Sequence, residues 1–261
     1  SREIDKVAMQ RSIENLAEIK DADAIFFERI QDYTVTVDGL AFNKDIDPYY
    51  EELSSMYKSA KLQVGPLDND HKPYHNYCLF DRSSFKREFF RNSDKQLFQD
   101  IESLIERIGQ ELHDKLSFSL NKDYARHCFV EFYANNHLMK YVFDHVQPKV
   151  IFLSCYSDPI QFALIYNCFL NNIKTVEIQH GSQALNPMYQ GWKKIPKEGY
   201  PLLPNYFWCW NKIFVQKIME GREESARLHM PFEGGNLWLE QESKKNKNSC
   251  DTYSDEILEQ L

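Results

Sequence analysis

The amino-acid sequence predicts an α/β protein: a Rossmann-like parallel sheet flanked by helices, with a β-hairpin and long helices in its N-terminal part. Two observations carry that expectation. The runs 149–154 (KVIFLS) and 174–179 (KTVEIQ) are short, apolar-leaning strands that each end in a polar turn, Cys155-Tyr156-Ser157-Asp158 and His180-Gly181. Between them lies a helical stretch over 159–171, and a strand, a crossover helix and a second strand make a parallel βαβ unit.

Taken in order, residues 1 to about 20 place Ile4, Val7, Ile13, Leu16 and Ile19 on a rough helical stripe. Ala24-Ile25-Phe26-Phe27 is a short strand. Tyr33 to Val37 alternates at period two before Asp38-Gly39, and Leu40-Ala41-Phe42 returns, which predicts a hairpin. Asp47-Pro48 supplies a cap and an N1 proline for a helix over 49–58. Residues 64–80, with Gly65-Pro66 and Lys72-Pro73, are too irregular for a helix. Two long helices follow. One spans 93–112 with Leu97, Ile101, Leu104, Ile105 and Ile108 on one face; the other spans 121–145, apolar nearly all round its centre and so deeply packed. Beyond the βαβ unit come a long loop with a helical turn, a strand over 205–210, a helix over 211–220 and a short strand around Gly234-Gly235. The polar run 241–249 reads as a linker, with a weak helix over 253–261, so the domain expected is 1–240 and the hinge 241–261.

Composition narrows the function. With 43% hydrophobic and 27% charged residues the chain is an ordinary globular one. A net charge of −8 argues against nucleic acid, whose phosphates demand clustered Lys and Arg. Cysteines at 78, 128, 155, 168, 209 and 250 form no CxxC pair, and read as reduced cytosolic thiols, mostly small core hydrophobes. His71, Tyr74 and His75 join the candidate cleft, but His-x-x-x-His outside a helix is poor evidence for metal, and no metal site is expected. No dinucleotide, NTPase, serine-hydrolase or zinc-protease motif is present.

The candidate site lies at the carboxyl ends of the two strands, where open α/β sheets hold their ligands. His180 is the sharpest candidate: its ring can accept a proton from a hydroxyl or, protonated, hold an anionic leaving phosphate. The plain alternative is that it caps a strand end. Gly181 lets the backbone bend tightly or a ligand come close. Asp158, followed by Pro159, is placed as an N-cap, and the helix start beside Ser157 is also an anion site. Glu177 is a buried partner for a loop or for His180. Tyr189 and Trp192, in a long Pro- and aromatic-rich connection, stack on a sugar ring or plug a shallow core.

The stretch from Gln147 to Trp192, with its strand running into Gln179-His180-Gly181, and the later Tyr200-Pro201-Leu202-Leu203-Pro204-Asn205-Tyr206-Phe207 resemble bacterial surface-polysaccharide glycosyltransferases of the GT-B type, enzymes of capsule and lipopolysaccharide synthesis. The resemblance spans about 147–238; residues 1–146 carry no such motif. It implies two Rossmann domains with the active site between them, a nucleotide-sugar donor as substrate rather than a cofactor, and a glycan acceptor. It implies His180 as general base or phosphate-holding imidazole, Gln179 and Gly181 shaping its turn, Ser157 and Asp158 lining the cleft, and Tyr189 on the sugar. One α/β unit only is visible, so the expectation is the acceptor-side half of a longer cytoplasmic enzyme, peripheral to the inner membrane through other parts and incomplete in isolation. The rivals are a glycerol-phosphate-type polymer transferase of similar fold and a non-catalytic binding or assembly module.

Overall fold

The computed structural model describes residues 2–29, 32–65, 72–182, 186–223 and 227–244. Seven parallel strands form one sheet in the order β5-β4-β1-β6-β7-β8-β9: β1 (Ala24–Arg29), β4 (Ser59–Gly65), β5 (Cys78–Asp81), β6 (Val150–Ser154), β7 (Lys174–Ile178), β8 (Tyr206–Cys209) and β9 (Met230–Glu233). The hairpin β2 (Val35–Val37) and β3 (Leu40–Phe42) stands apart as a two-stranded sheet. The order runs outward from β1 to β4 and β5, then returns to β6 on its other side. Such a reversal is a topological switch point.

The central strands β1 and β6 are buried on both faces along most of their length, which explains their apolar runs, whereas β8 and β9 at one side are partly exposed. On one face Ile25, Phe27, Leu62, Ile151, Leu153 and Phe207 meet α1 (Arg2–Glu18), α5 (Lys122–His145) and α6 (Pro159–Leu170) through Leu16, Leu138, Val142, Ile160 and Leu164. On the other, Phe26 stacks on Phe152 at 4.7 Å beside Ile178, beneath Ile46 and Tyr49 of the α2 segment (α2 is Asp47–Ser54). Full burial of one such side chain contributes roughly 1.5–3 kcal/mol. These contacts therefore fix which strand neighbours which.

Most predicted elements stand where the periodicity places them, including α4 (Lys95–Leu116), whose buried residues Ile101 and Ile105 lie on the expected stripe. Several expectations need correction. The described residues of the irregular segment 64–80 include the end of β4 and the start of β5, and α3 (Arg82–Asn92) precedes α4. Helix α5 is deeply packed only from Ala134 to Phe143; Phe129, Val130, Phe132 and Tyr133 are half-buried. Asp47 does not cap α2. Its N-cap is Ile46, while the Asp47 carboxylate accepts from the Asn43 N–H at 2.8 Å and pairs with the Lys61 ammonium.

Near Gly234-Gly235 the strand is β9, which stops just before them. A Cβ on Gly234 would sit 2.2 Å from the Trp208 ring, and Gly235, at φ +86°, turns its carbonyl to accept from Trp208 Nε1 at 3.0 Å. The pair wraps that indole. Residues 241–244 are not linker: they continue a helix over 237–244, and Gln241 donates to Glu51 at 3.1 Å. The rest of the expected hinge and the weak helix over 253–261 lie outside the described residues, as does His71. Among the described residues no helix is long and apolar enough to cross a membrane.

Candidate functional site at the carboxyl edge of the sheet

Strands β1, β6 and β7 release the chain at one edge of the sheet, and their next residues converge there. Arg29, the last residue of β1, reaches across the switch point. Its guanidinium holds Asp32 at 2.8 Å and Asp158 at 3.0 Å, joining the ends of β1 and β6. Asp158 also caps α6, accepting from the Ile160 N–H at 3.2 Å, with Pro159 at the first helical position. That assignment matches the N-cap reading. It also blunts the anion site expected at the helix start, because Pro159 has no N–H and the Ile160 N–H is already committed.

Cys155 follows β6 directly in the left-handed region, φ +59°, with its sulfur 3.4 Å from Ser157 Oγ. The His180 ring lies two residues past β7, where it and the Cys155 sulfur act on one another electrostatically. Burial pulls the His180 imidazole down, but the Cys155 sulfur, Glu177 and Asp45 outweigh it and hold it above its ordinary value. His180 in turn leads in bringing the Cys155 thiol down to about 7, against the opposing effect of burial. Cys155 and Cys128 are half-buried, while Cys78, Cys168 and Cys209 are core residues, in line with thiols that are mostly small core hydrophobes.

His180 lines a cavity of about 190 Å³ shared with Lys44, Asp45, Gln179, Trp210 and Trp238. A complete small-molecule pocket takes roughly 300–1,000 Å³; this one suits a single sugar-sized group. The sequence named none of Arg29, Asp45, Trp210 or Trp238 for this edge, and Cys155 only as the start of the turn after β6. A cysteine placed between a strand and a Ser-x-Pro helix start was the one signal available. The hairpin–α2 connection that brings Asp45 here carries no motif.

Gln179 shapes the turn as expected: it donates to the Gly181 carbonyl at 2.7 Å and accepts from the Trp210 N–H at 2.8 Å. Gly181 needs no special backbone conformation, and a Cβ added there would meet nothing within 4 Å, so the tight-bend reason is withdrawn. The aromatic expectation is corrected too. Tyr189 is 5% exposed and belongs to the core, packing on Tyr156 and Phe207 and donating to Glu177 at 2.6 Å. Trp192 is half-buried, donates to the Tyr156 hydroxyl at 3.3 Å and lies against Tyr200. Both serve as plugs because α7 (Pro187–Gln190) folds back over the face below the edge. Glu177 is the buried partner, 1% exposed, and burial pushes its carboxyl up to about 8. At that value it keeps its proton near neutrality. Tyr74 and His75 do not line the His180 cavity; His75 pairs with Glu51 at 3.1 Å.

Compared with known proteins, the chain matches no family model, no curated protein and no solved structure.

Proposed function

We propose that this protein is a glycosyltransferase of surface-polysaccharide synthesis, moving a sugar from a nucleotide-sugar donor to a glycan acceptor with His180 at the reacting centre. The observation that supports this most is the position of His180: half-buried, past the carboxyl end of a parallel strand next to the switch point, on the wall of a cavity that also holds two indoles. Trp210 and Trp238 offer flat apolar faces against which a pyranose ring can lie. Lys44 and Asp45 offer a donor and an acceptor for its hydroxyls.

Raised above its ordinary value, the His180 imidazole keeps its proton to higher pH than a free imidazole does. A cationic imidazole at that point neutralises oxygens of a departing nucleotide phosphate, a form of electrostatic stabilisation that grows where water is excluded. Once its proton passes to that phosphate, the neutral ring can accept the next one from an acceptor hydroxyl. The same charge suits a phosphoryl-linked donor, which keeps the glycerol-phosphate-type transferase as the second reading.

His180→Ala in the full-length protein tests the role. Transfer of labelled sugar from a panel of nucleotide-sugars should fall by about 10²–10⁴-fold, with an unchanged melting temperature. A near-normal rate removes His180 from the reaction. Label transferred only from a nucleotide-activated glycerol phosphate decides for the second reading.

A further inference from the structure

The cavity beside His180 is unbalanced in what its walls can offer a ligand. Its polar groups come from Lys44 and Asp45 before α2, Gln179 and His180 after β7, Trp210 after β8 and Asn236 after β9. Several of them are already committed within the protein. The Gln179 NH2 donates to the Gly181 carbonyl and its oxygen accepts from the Trp210 backbone N–H. The Tyr49 hydroxyl, also on the wall, donates to the Gly235 carbonyl at 3.4 Å. Asn236 Oδ1 accepts from the Leu239 N–H at 3.1 Å, so its NH2 is the end that can serve a ligand.

Two further donors stand out. Trp210 Nε1 is enclosed and has no acceptor; its influence reaches the Tyr49 hydroxyl, but the two do not meet in hydrogen-bond geometry. A buried donor left so is costly, and a ligand oxygen placed against it removes that cost. Lys44 is half-buried and joins none of the ion pairs among the described residues. On the acceptor side the lining residues supply a single carboxylate, Asp45, which feels both Lys44 and His180.

This excess of donors selects among ligands. A sugar hydroxyl that accepts from one of them must still place its own proton, and Asp45 alone is there to receive it. A carboxylate accepts at two oxygens and has no proton to place. A phosphate dianion would set two charges near Asp45 where Lys44 balances one; a carboxylate sets only one. The cavity, about 190 Å³, is small enough that one sugar-sized ligand reaches Lys44 and Trp210 together.

We propose that the sugar taken by this cavity is a hexuronic acid, its carboxylate held by Lys44 and Trp210 and its hydroxyls donating to Asp45. The inference rests on the sugar-binding reading of the cavity and narrows it from any pyranose to an acidic one. Lys44 and Trp210 are then the specificity-determining residues.

Nuclear magnetic resonance of the intact ¹⁵N-labelled protein tests this through its indole N–H signals, of which the 4 tryptophans give few enough to resolve. Trp210→Phe identifies the Trp210 signal by removing it. The probes are methyl glycosides of glucuronic and galacturonic acid, those of glucose and galactose, and inorganic phosphate. At least one uronide should move the Trp210 signal and bind about 10-fold or more tightly than its neutral counterpart. Lys44→Met should bring that ratio close to one. Equal affinity within both pairs overturns the acidic sugar, as does phosphate moving the signal at a lower concentration than either uronide, or an undiminished ratio in a folded Lys44→Met. The wild-type titrations stand without any folded variant beyond the one that assigns the signal. A Trp210 signal that no probe moves overturns both the acidic sugar and the sugar-binding reading. A signal moved equally by neutral and acidic sugars leaves that reading intact, so the two failures are told apart.

Discussion

Two clusters of charged side chains flank the middle of the sheet, and they differ in one respect that decides their roles. At the carboxyl edge Arg29, Asp158, Cys155 and His180 are half-buried beside a cavity. On the α2 face, Lys61 of β4 sits between Glu28 of β1, at 3.0 Å, and Asp47 of α2, all three fully enclosed. Tyr33 donates to Glu28, and Asn43 donates to it at 3.2 Å. Burial, only partly opposed by Lys61, pushes Glu28 up to about 7. Both clusters thus contain titratable groups moved from their ordinary values. A shifted group marks a site only where a ligand can reach it; the enclosed trio instead ties β1, β4 and α2 together.

The comparison breaks if the enclosed trio can be dismantled cheaply. Lys61→Met leaves two carboxylates buried with no cation, and loss of one partner of a buried pair costs about 3–5 kcal/mol. The urea midpoint should drop accordingly. A drop no larger than that of Cys155→Ser would erase the distinction between the clusters.

Glu177 sharpens the comparison, since it lies between the core and the edge. Its folded value near 8 exceeds the ordinary 4.5, so the folded state keeps a proton that the unfolded chain releases. That contribution is complete below about 4.5, declines as pH rises and is gone above about 8. Glu177→Gln should flatten the stability profile over that window and raise stability at its alkaline end, by an amount on the order of a few kcal/mol, read from melting temperature against pH. An unchanged slope means that another group, Glu28 foremost, carries it.

The smallest effect belongs to Arg29→Gln. Of its two partners Asp158 is 36% exposed and screened by water, while Asp32 is 11% exposed, so unfolding should change by about 1 kcal/mol, the upper end for exposed pairs. The larger consequence should fall on how firmly the β1 and β6 ends are held, read as faster amide exchange around Cys155 and Asp158.

How far each part was legible in the sequence follows from how local its signals are. The β6–α6–β7 unit was readable because Val150 to Ser154 and Lys174 to Ile178 are apolar runs bounded by turn residues, with Asp158-Pro159 announcing the helix. Strand β4 was not. Its inward Lys61 and Gln63 look like surface residues until Glu28 and Asp47, distant in sequence, supply the reason to bury a lysine. His180 was legible as a strand-end imidazole. Cys155 was not singled out because most free cysteines go inside, and for Tyr189 and Trp192 sugar stacking and core plugging both stayed open because an aromatic loop residue reads alike whether it faces a ligand or the core. Only the fold of α7 over Phe207 separates the two cases.

The central position of β1 carries one more consequence. This strand, Ala24–Arg29, is flanked by β4 and by β6, which lies more than a hundred positions further on. Until residues 150–153 arrive, half of its backbone edge has nothing to bond. Closing so long an excursion is entropically slow, so during synthesis the early strands must wait, one edge open, for the later part of the chain to seal them.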